Sequence, residues 1–258
     1  MIQNTEYKIV FIGAGNVATH LSLALQQSGC SILQIYSRTE LSASVLGEKL
    51  QVLHSTSLAE IDRNADVYIF SLSDSALLDC IKKMPPVKGL SAHTAGSVPL
   101  SVFDGFTKRA GVLYPLQTFS KNRDISLAEV PFFIEASNKE DENLLVELAC
   151  LISKNVNVLS SEKRKYLHLS AVFSCNFVNH LFDLSSQILK EQNLPFDMLF
   201  PLIQETVTKM YEITPQRAQT GPAIRHDKAT IQQHIKLLTD ENKKKIYEML
   251  SQSICNLH

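Results

Sequence analysis

Short apolar runs alternate with amphipathic stretches over the first 160 residues, and after that the alternation stops. The runs with strand character are "YKIVFIG" (7–13), "SILQIYS" (31–37), "DVYIFSLS" (66–73), "LSAH" (90–93), "GVLYP" (111–115), "PFFIEAS" (131–137) and "NVNVLS" (155–160). Helical spacing lies between several of them. Val17, Leu21, Ala24 and Leu25, for example, recur at i, i+4, i+7 and i+8 on one helix face. This alternation predicts an α/β fold, a mostly parallel sheet with helices on both faces. The later strands lie closer together in sequence, which predicts that their end of the sheet is partly antiparallel.

Beyond residue 160 the period is helical only. "YLHLSAVFSCNFVNHLFDLSSQIL" (166–189) carries Leu169, Val172, Phe173, Phe177, Leu181, Leu184 and Ile188 on one broad stripe, which predicts a long buried helix. Further helices are predicted over 196–213, 228–238 and 242–256, with Thr214 (before Pro215) and Asp227 as helix starts. The division expected is an α/β domain over 1–160 and an all-helical domain over 161–258. It is a shift in composition, without a linker or an internal repeat. Leu199, Ile203, Val207 and Met210 form a long apolar face, so a homodimer through the C-terminal helices is expected.

Composition narrows the classes. Apolar residues make up 45% and charged residues 20% of 258 positions, and the net charge is −1, so no electrostatic footprint for nucleic acid or a membrane surface is expected. "DENKKKIYE" (240–248) mixes both signs and reads as a solvated helix face. The five cysteines are scattered, odd in number and without a C-x-x-C pair, so neither a disulfide framework nor a metal site is expected. No apolar run approaches ~20 residues, and "MIQNTEYK" lacks the features of a signal peptide. A soluble cytoplasmic protein is the expectation.

The strongest local signal is "GAGNVA", where Gly13, Gly15 and Ala18 fit G-x-G-x-x-G/A between a strand and an amphipathic helix. Such a turn needs a sharp bend at Gly13 and no side chain at Gly15, where a pyrophosphate would meet the backbone. A small residue at Ala18 permits close packing. Ala14, Asn16 and Val17 complete the turn and the helix start that would face the anion. The alternative is a glycine turn that binds nothing. At the end of the second strand stands "YSRTE". Ser37, Arg38 and Thr39 offer hydroxyls and a guanidinium where NAD enzymes usually keep a carboxylate, which favours NADP, unless Arg38 is a solvated loop cation.

Ligands of such sheets lie beyond the carboxyl ends of the strands. "SLSDSA" (71–76) brings Ser71, Leu72 and Ser73 there, "AHTAGSVP" (92–99) brings His93, and "YPLQTFS" (114–120) brings Pro115, Gln117 and Thr118. His93 is an acid/base candidate or a hydrogen-bonded loop residue in equal measure. On the apolar stripe of 166–189, Asn176 and His180 fall at i and i+4, with His168 off its edge; buried, they would need partners. In "QTGPAIRHD" (219–227), Arg225 is a candidate anion anchor and Asp227 a helix cap.

In order, "FIGAGNVATHL", "SLSD", "HTAGS", "YPLQTFS", "HLSAVFSCNFVNHL" and "TGPAIRHD" resemble the NADP-dependent oxidoreductases that join a Rossmann-like domain to a helical domain of uncharacterised function. The resemblance covers nearly the whole chain. More distantly the arrangement is similar to pyrroline-5-carboxylate reductase and the 3-hydroxyacid dehydrogenases, and its helical part to the C-terminal domain of 6-phosphogluconate dehydrogenase. It implies an NADP cofactor, a small-molecule substrate, and Asn176 in place of an active-site asparagine. The lysine expected four residues earlier falls at the apolar Val172, and His226 stands where glycine is expected. The reading is hydride transfer between the nicotinamide and a small carbonyl, imine or hydroxy compound. His93 and His168 are the acid/base candidates, with Asn176 and Gln117 orienting the substrate. The rival reading is a non-catalytic NADP-binding module.

Overall fold

The computed structural model describes residues 6–257; of "MIQNTEYK", residues 1–5 lie outside them. The chain divides into two compact units between Phe173 and Ser174.

Among the described residues the first unit is built on eight strands: β1 (Lys8–Ile12), β2 (Ser31–Tyr36), β3 (Leu53–Ser55), β4 (Val67–Phe70), β5 (Leu90–His93), β6 (Ala110–Pro115), β7 (Phe132–Ala136) and β8 (Val156–Val158). Their order in the sheet is β3-β2-β1-β4-β5-β6-β7-β8. Every pairing is parallel except β6 with β7, where Leu113 faces Ile134 in antiparallel register. The antiparallel end expected from strand spacing is therefore present.

Helices α1 (Asn16–Gln27), α2 (Glu40–Leu50) and α4 (Lys139–Cys150) cover one face, and α3 (Asp74–Lys83) with the helical turn Leu100–Phe103 covers the other. Alternate side chains of β1 enter the two cores: Ile9 and Phe11 join Leu21, Leu25 and Leu145, while Val10 and Ile12 join Leu77 and Phe103. A strand buried on both faces reads as a continuous apolar run, and "KIVFI" does.

Helix α5 (Ser161–Ala171) belongs with the sheet, so the first unit extends beyond the sequence boundary at residue 160. The reason is a set of polar ties from α5 to β6, β7 and the loop after β5, described below.

The second unit contains α6 (Val178–Glu191), α7 (Phe200–Thr208), α8 (Pro215–Ala218), α9 (Lys228–Leu237) and α10 (Glu241–Leu257). Asp227 caps α9 as expected: its Oδ1 accepts from the Thr230 N–H at 3.1 Å. His226 beside it has φ +53°, the left-handed conformation in which the expected glycine carries no strain.

The long buried helix over 166–189 is corrected. A π-helical turn, Val172–Phe177, interrupts it and shifts the side-chain register, and Leu169, Phe173 and Phe177 are 50% or more exposed. Among the described residues of the second unit only Ala223 and Lys243 are buried. Lys243, read as part of a solvated face, is instead paired with Glu191 at 3.2 Å. Among the described residues, no helix is long and apolar enough to cross a membrane.

Candidate dinucleotide site and the strand-end cluster

The glycine turn joins β1 to α1. Gly13 has φ +119°, and a Cβ built on it would lie 2.3 Å from the Ser71 carbonyl oxygen, so both conformation and space demand glycine. Its N–H donates to the Tyr36 carbonyl at 2.7 Å. Around Gly15 the situation is reversed: nothing lies within 4 Å of a Cβ built there. The absent side chain leaves open space at the start of α1.

No side chain caps α1 and its first turn holds no acidic residue, so its N–H groups and dipole face that space uncompensated. Ala14 is buried, Val17 packs against the core, and Ala18 is sealed between helix and strand. At the end of β4 the Ser71 hydroxyl is buried without a hydrogen-bond partner. An open backbone cradle, a bare helix end and an unsatisfied hydroxyl beside it together fit a dinucleotide phosphate.

Arg38 lines a pocket of about 220 Å³ with Tyr36, Leu58, Leu72, Ser73 and Lys83. Asp79 also lines it, and the two cations, Arg38 and Lys83, outnumber that carboxylate, which suits a phosphate-bearing ribose. Ser37 continues the backbone of β2, donating its N–H to Ser55, and the Thr39 hydroxyl donates to Ser42 Oγ at 2.9 Å. Of the three strand-end residues, Arg38 is the one whose side chain turns into the pocket wall.

The loop after β6 is tied to α1. Asn16 Nδ2 donates to the Phe119 carbonyl at 2.9 Å, and His20 Nε2 lies 3.0 Å from the Ser120 carbonyl. Pro115 ends β6, buried opposite Phe132. Gln117 is exposed, and its Oε1 accepts from the Thr118 N–H at 2.8 Å within the same loop.

His93 requires correction as an acid/base candidate. It is fully buried and stacked on Phe103, with its Nδ1 accepting from the Ala95 N–H at 3.2 Å. Its Nε2 lies near the Pro99 carbonyl without a hydrogen bond of good geometry. Burial, reinforced by the Arg164 charge, pushes its pKa down to about 4. A neutral imidazole sealed from solvent holds the 94–99 loop rather than exchanging protons.

His168 is placed differently. From α5 its Nδ1 meets the Tyr114 hydroxyl at 2.9 Å, and the ring is half-buried. Gly96 lies beneath them, where a Cβ would come within 2.5 Å of His168 Nδ1 and 2.7 Å of Tyr114 Cζ. One helical turn earlier Arg164 is fully buried. Its Nη1 donates to Glu135 Oε2 at 2.5 Å and its Nη2 to the Val98 carbonyl at 2.6 Å. Burial would raise the Glu135 pKa, but hydrogen bonds from Ser161 and Arg164 hold it below the ordinary value. Ser97 Oγ donates to Asp74 across the neighbouring loops.

Asn176 and His180 belong to the second unit. Both are exposed, along a groove shared with Asp183 and Phe196, so the burial expected of them is not found. Tyr114, Gly96, Glu135 and Arg164 were not among the sequence candidates. Tyr114 and Gly96 stand inside strand-end motifs, while Arg164 is hidden in the charged run "SEKRK".

This glycine turn on a parallel sheet defines the class, a Rossmann-type dinucleotide-binding fold of the oxidoreductase kind. The family model described as NADP oxidoreductase, coenzyme F420-dependent, matches residues 8–94, and a domain of unknown function, DUF2520, matches residues 130–254. A solved structure of a putative NADP oxidoreductase from Bacteroides fragilis is 46% identical; the alignment covers 98% of this chain and 100% of that one, with a TM-score of 0.92. The chain belongs to this family of NADP-oxidoreductase-like proteins with a DUF2520 region.

Two further structures share the fold. A protein of Thermotoga maritima is 19% identical over 96% of this chain and 98% of that one, with a TM-score of 0.78. A pyrroline-5-carboxylate reductase of Coxiella burnetii is 17% identical over 98% and 97%, with a TM-score of 0.57. No curated protein matches.

Proposed function

We propose that the protein is an NADP-dependent oxidoreductase that transfers a hydride between the nicotinamide and a small carbonyl, imine or hydroxy compound. The observation that carries this reading is the open cradle at Gly13 and Gly15 beside the unpartnered Ser71 hydroxyl, with Arg38 and Lys83 at the ribose end. The name of the 46%-identical relative supports NADP as the nucleotide.

In this reading the α1 start and the Gly15 backbone hold the pyrophosphate, Ser71 supplies a further hydroxyl, and Arg38 forks onto the 2′-phosphate. The nicotinamide supplies the hydride when bound. His168 is the proton-transfer group, and Gln117 is the polar group that orients the substrate.

Fluorescence titration with NADPH and NADH tests the proposal cleanly, because the chain contains no tryptophan and nicotinamide emission has little background. NADPH should bind more tightly than NADH. Arg38→Ala should weaken NADPH by ~10–100-fold, the ~1.5–3 kcal/mol of a hydrogen bond to a charged group, and leave NADH nearly unchanged. Absence of binding by either nucleotide overturns the reading. The apolar Val172 in place of a lysine favours a second reading, a non-catalytic NADP-binding module; NADPH binding without oxidation across a broad acceptor panel would select it.

We also propose a homodimer through the helices of the second unit. Phe200, Leu202 and Met249 of this unit are each more than 50% exposed, a large apolar surface for a few short helices. Light scattering at micromolar concentration should give twice the 28.8 kDa chain mass. A monomer mass would refute the dimer.

A further inference from the structure

We propose that Tyr114 and His168 form a proton-transfer pair. Tyr114 is the positioning residue, and His168 delivers from its Nε2 the proton that reduction of a carbonyl or imine requires. The inference rests on the oxidoreductase reading above and specifies its acid.

The argument begins with the two ring nitrogens. His168 Nδ1 is engaged by the Tyr114 hydroxyl at 2.9 Å, while Nε2 makes no hydrogen bond among the described residues. Tyr114 is nearly buried at the end of β6, whereas the His168 ring is half-exposed. The tyrosine therefore lies behind the imidazole, and the nitrogen remote from it is the one left for a ligand. Burial pushes the Tyr114 pKa up to about 12, opposed by the Arg164 charge, so its hydroxyl keeps its proton at neutral pH; in the proposed pair it donates to Nδ1 of the ring tautomer that carries its proton on Nε2.

A hydroxyl both donates and accepts, so Tyr114 remains bonded to the ring in either protonation state. A carboxylate in its place would favour the charged ring, and an amide nitrogen would hold only the neutral one. For a group that must change charge during turnover, the hydroxyl is the partner that leaves the geometry fixed.

The surroundings fix the pair from three sides. Gly96 leaves room for it that any Cβ would close, at 2.5 Å from Nδ1 and 2.7 Å from Tyr114 Cζ. The loop bearing Gly96 is held by His93 through Ala95 and by the Ser97–Asp74 hydrogen bond. Ser161, Arg164 and His168 stand at i, i+3 and i+7 on one face of α5, so the Arg164–Glu135 ion pair anchors the helix one turn from the imidazole.

The step balances simply. Hydride from NADPH bonds to the acceptor carbon, and the π electron pair moves to oxygen or nitrogen. That atom takes the Nε2 proton of the imidazolium, leaving NADP⁺ and a neutral imidazole that solvent reprotonates. The lysine that stands near the asparagine in related dehydrogenases, replaced here by Val172, is not needed for this proton.

The test uses the full chain labelled with ¹⁵N at histidine, in complex with NADPH, with His168→Gln to assign the ring. The neutral His168 ring should carry its proton on Nε2 and accept a hydrogen bond at Nδ1. Tyr114→Phe, which removes a single oxygen, should erase the Nδ1 hydrogen-bond shift and leave the other histidines unchanged. Gly96→Ala should give the same spectral change by displacing the rings. With 2-oxo acids and cyclic imines as acceptor probes, His168→Gln should lower kcat by ~10²–10⁴-fold, and Tyr114→Phe by a smaller factor with KM for NADPH unaltered.

A neutral ring protonated at Nδ1, a His168 spectrum indifferent to Tyr114→Phe, or turnover indifferent to His168→Gln overturns the pair. The spectra need no acceptor and decide the pair by themselves. Failure of wild-type NADPH binding overturns the oxidoreductase reading instead, and the two failures are read by separate measurements.

Discussion

Arg164→Ala should destabilise the protein by about 3–5 kcal/mol, the usual cost of removing one member of a buried ion pair and leaving the other unpaired. The Arg164 side chain is 1% exposed and that of Glu135 is 19% exposed. The guanidinium joins β7, through Glu135, to the Val98 carbonyl and to Ser161 on its own helix. Its removal leaves Glu135 with only the Ser161 hydrogen bonds, and strands a carbonyl in the same interior. Urea unfolding followed by circular dichroism measures the loss. The double replacement Arg164→Met with Glu135→Leu should recover most of it, because an apolar pair of similar volume carries no desolvation penalty. A loss below about 1 kcal/mol for the single variant would show that the pair is solvated and that α5 is held by something else.

That ion pair also marks where sequence reasoning reached its limit. The β1–turn–α1 unit was legible because everything that shapes it is local. Gly13 bends, Gly15 opens space and Ala18 packs, all within six residues, and the φ of +119° at Gly13 bears out the turn. The strands buried on both faces announced themselves as unbroken apolar runs. β3, the three residues "LHS", carries no run of β-branched residues of the kind that marks the equally short β8 in "NVNVLS", and it does not show in the sequence.

Arg164 shares its segment with Lys163 and Lys165, and charge alone gives no hint that one of the three is buried while Lys165 lies in solvent beside Glu162. The distinction comes from β7 and the loop at Val98, both far away in the chain. Likewise Tyr114 and His168, 54 residues apart, are brought together only by the packing of α5 on the sheet. The apolar stripe over 166–189 failed for another reason. Its spacing is legible, but nothing local shows what covers the face: Leu169 before the π turn Val172–Phe177 and Ile188 after it are both exposed. His93 was placed correctly at a strand end; what sequence could not supply was which face of the sheet it enters, and that face is sealed by Phe103.

Because His93 is sealed in the neutral form, the protein should lose stability in acid through this residue. Its pKa is about 4 in the folded protein against 6.5 in the unfolded chain, so the unfolded state binds the proton first. The stabilising contribution is fully present above about pH 6.5. It declines as pH falls and is lost once pH passes below about 4, with a span on the order of 3 kcal/mol for a difference of this size. Chemical denaturation at a series of pH values reads the slope. His93→Asn keeps an acceptor for the Ala95 N–H but cannot take up a proton, and it should flatten this limb while Glu135 still contributes its own loss at lower pH. A variant with the same slope as the wild type between pH 6.5 and 4 would place the acid-sensitive group elsewhere. The experiment also bears on the site, since protonating His93 would free the 94–99 loop and with it Gly96, the floor on which Tyr114 and His168 rest.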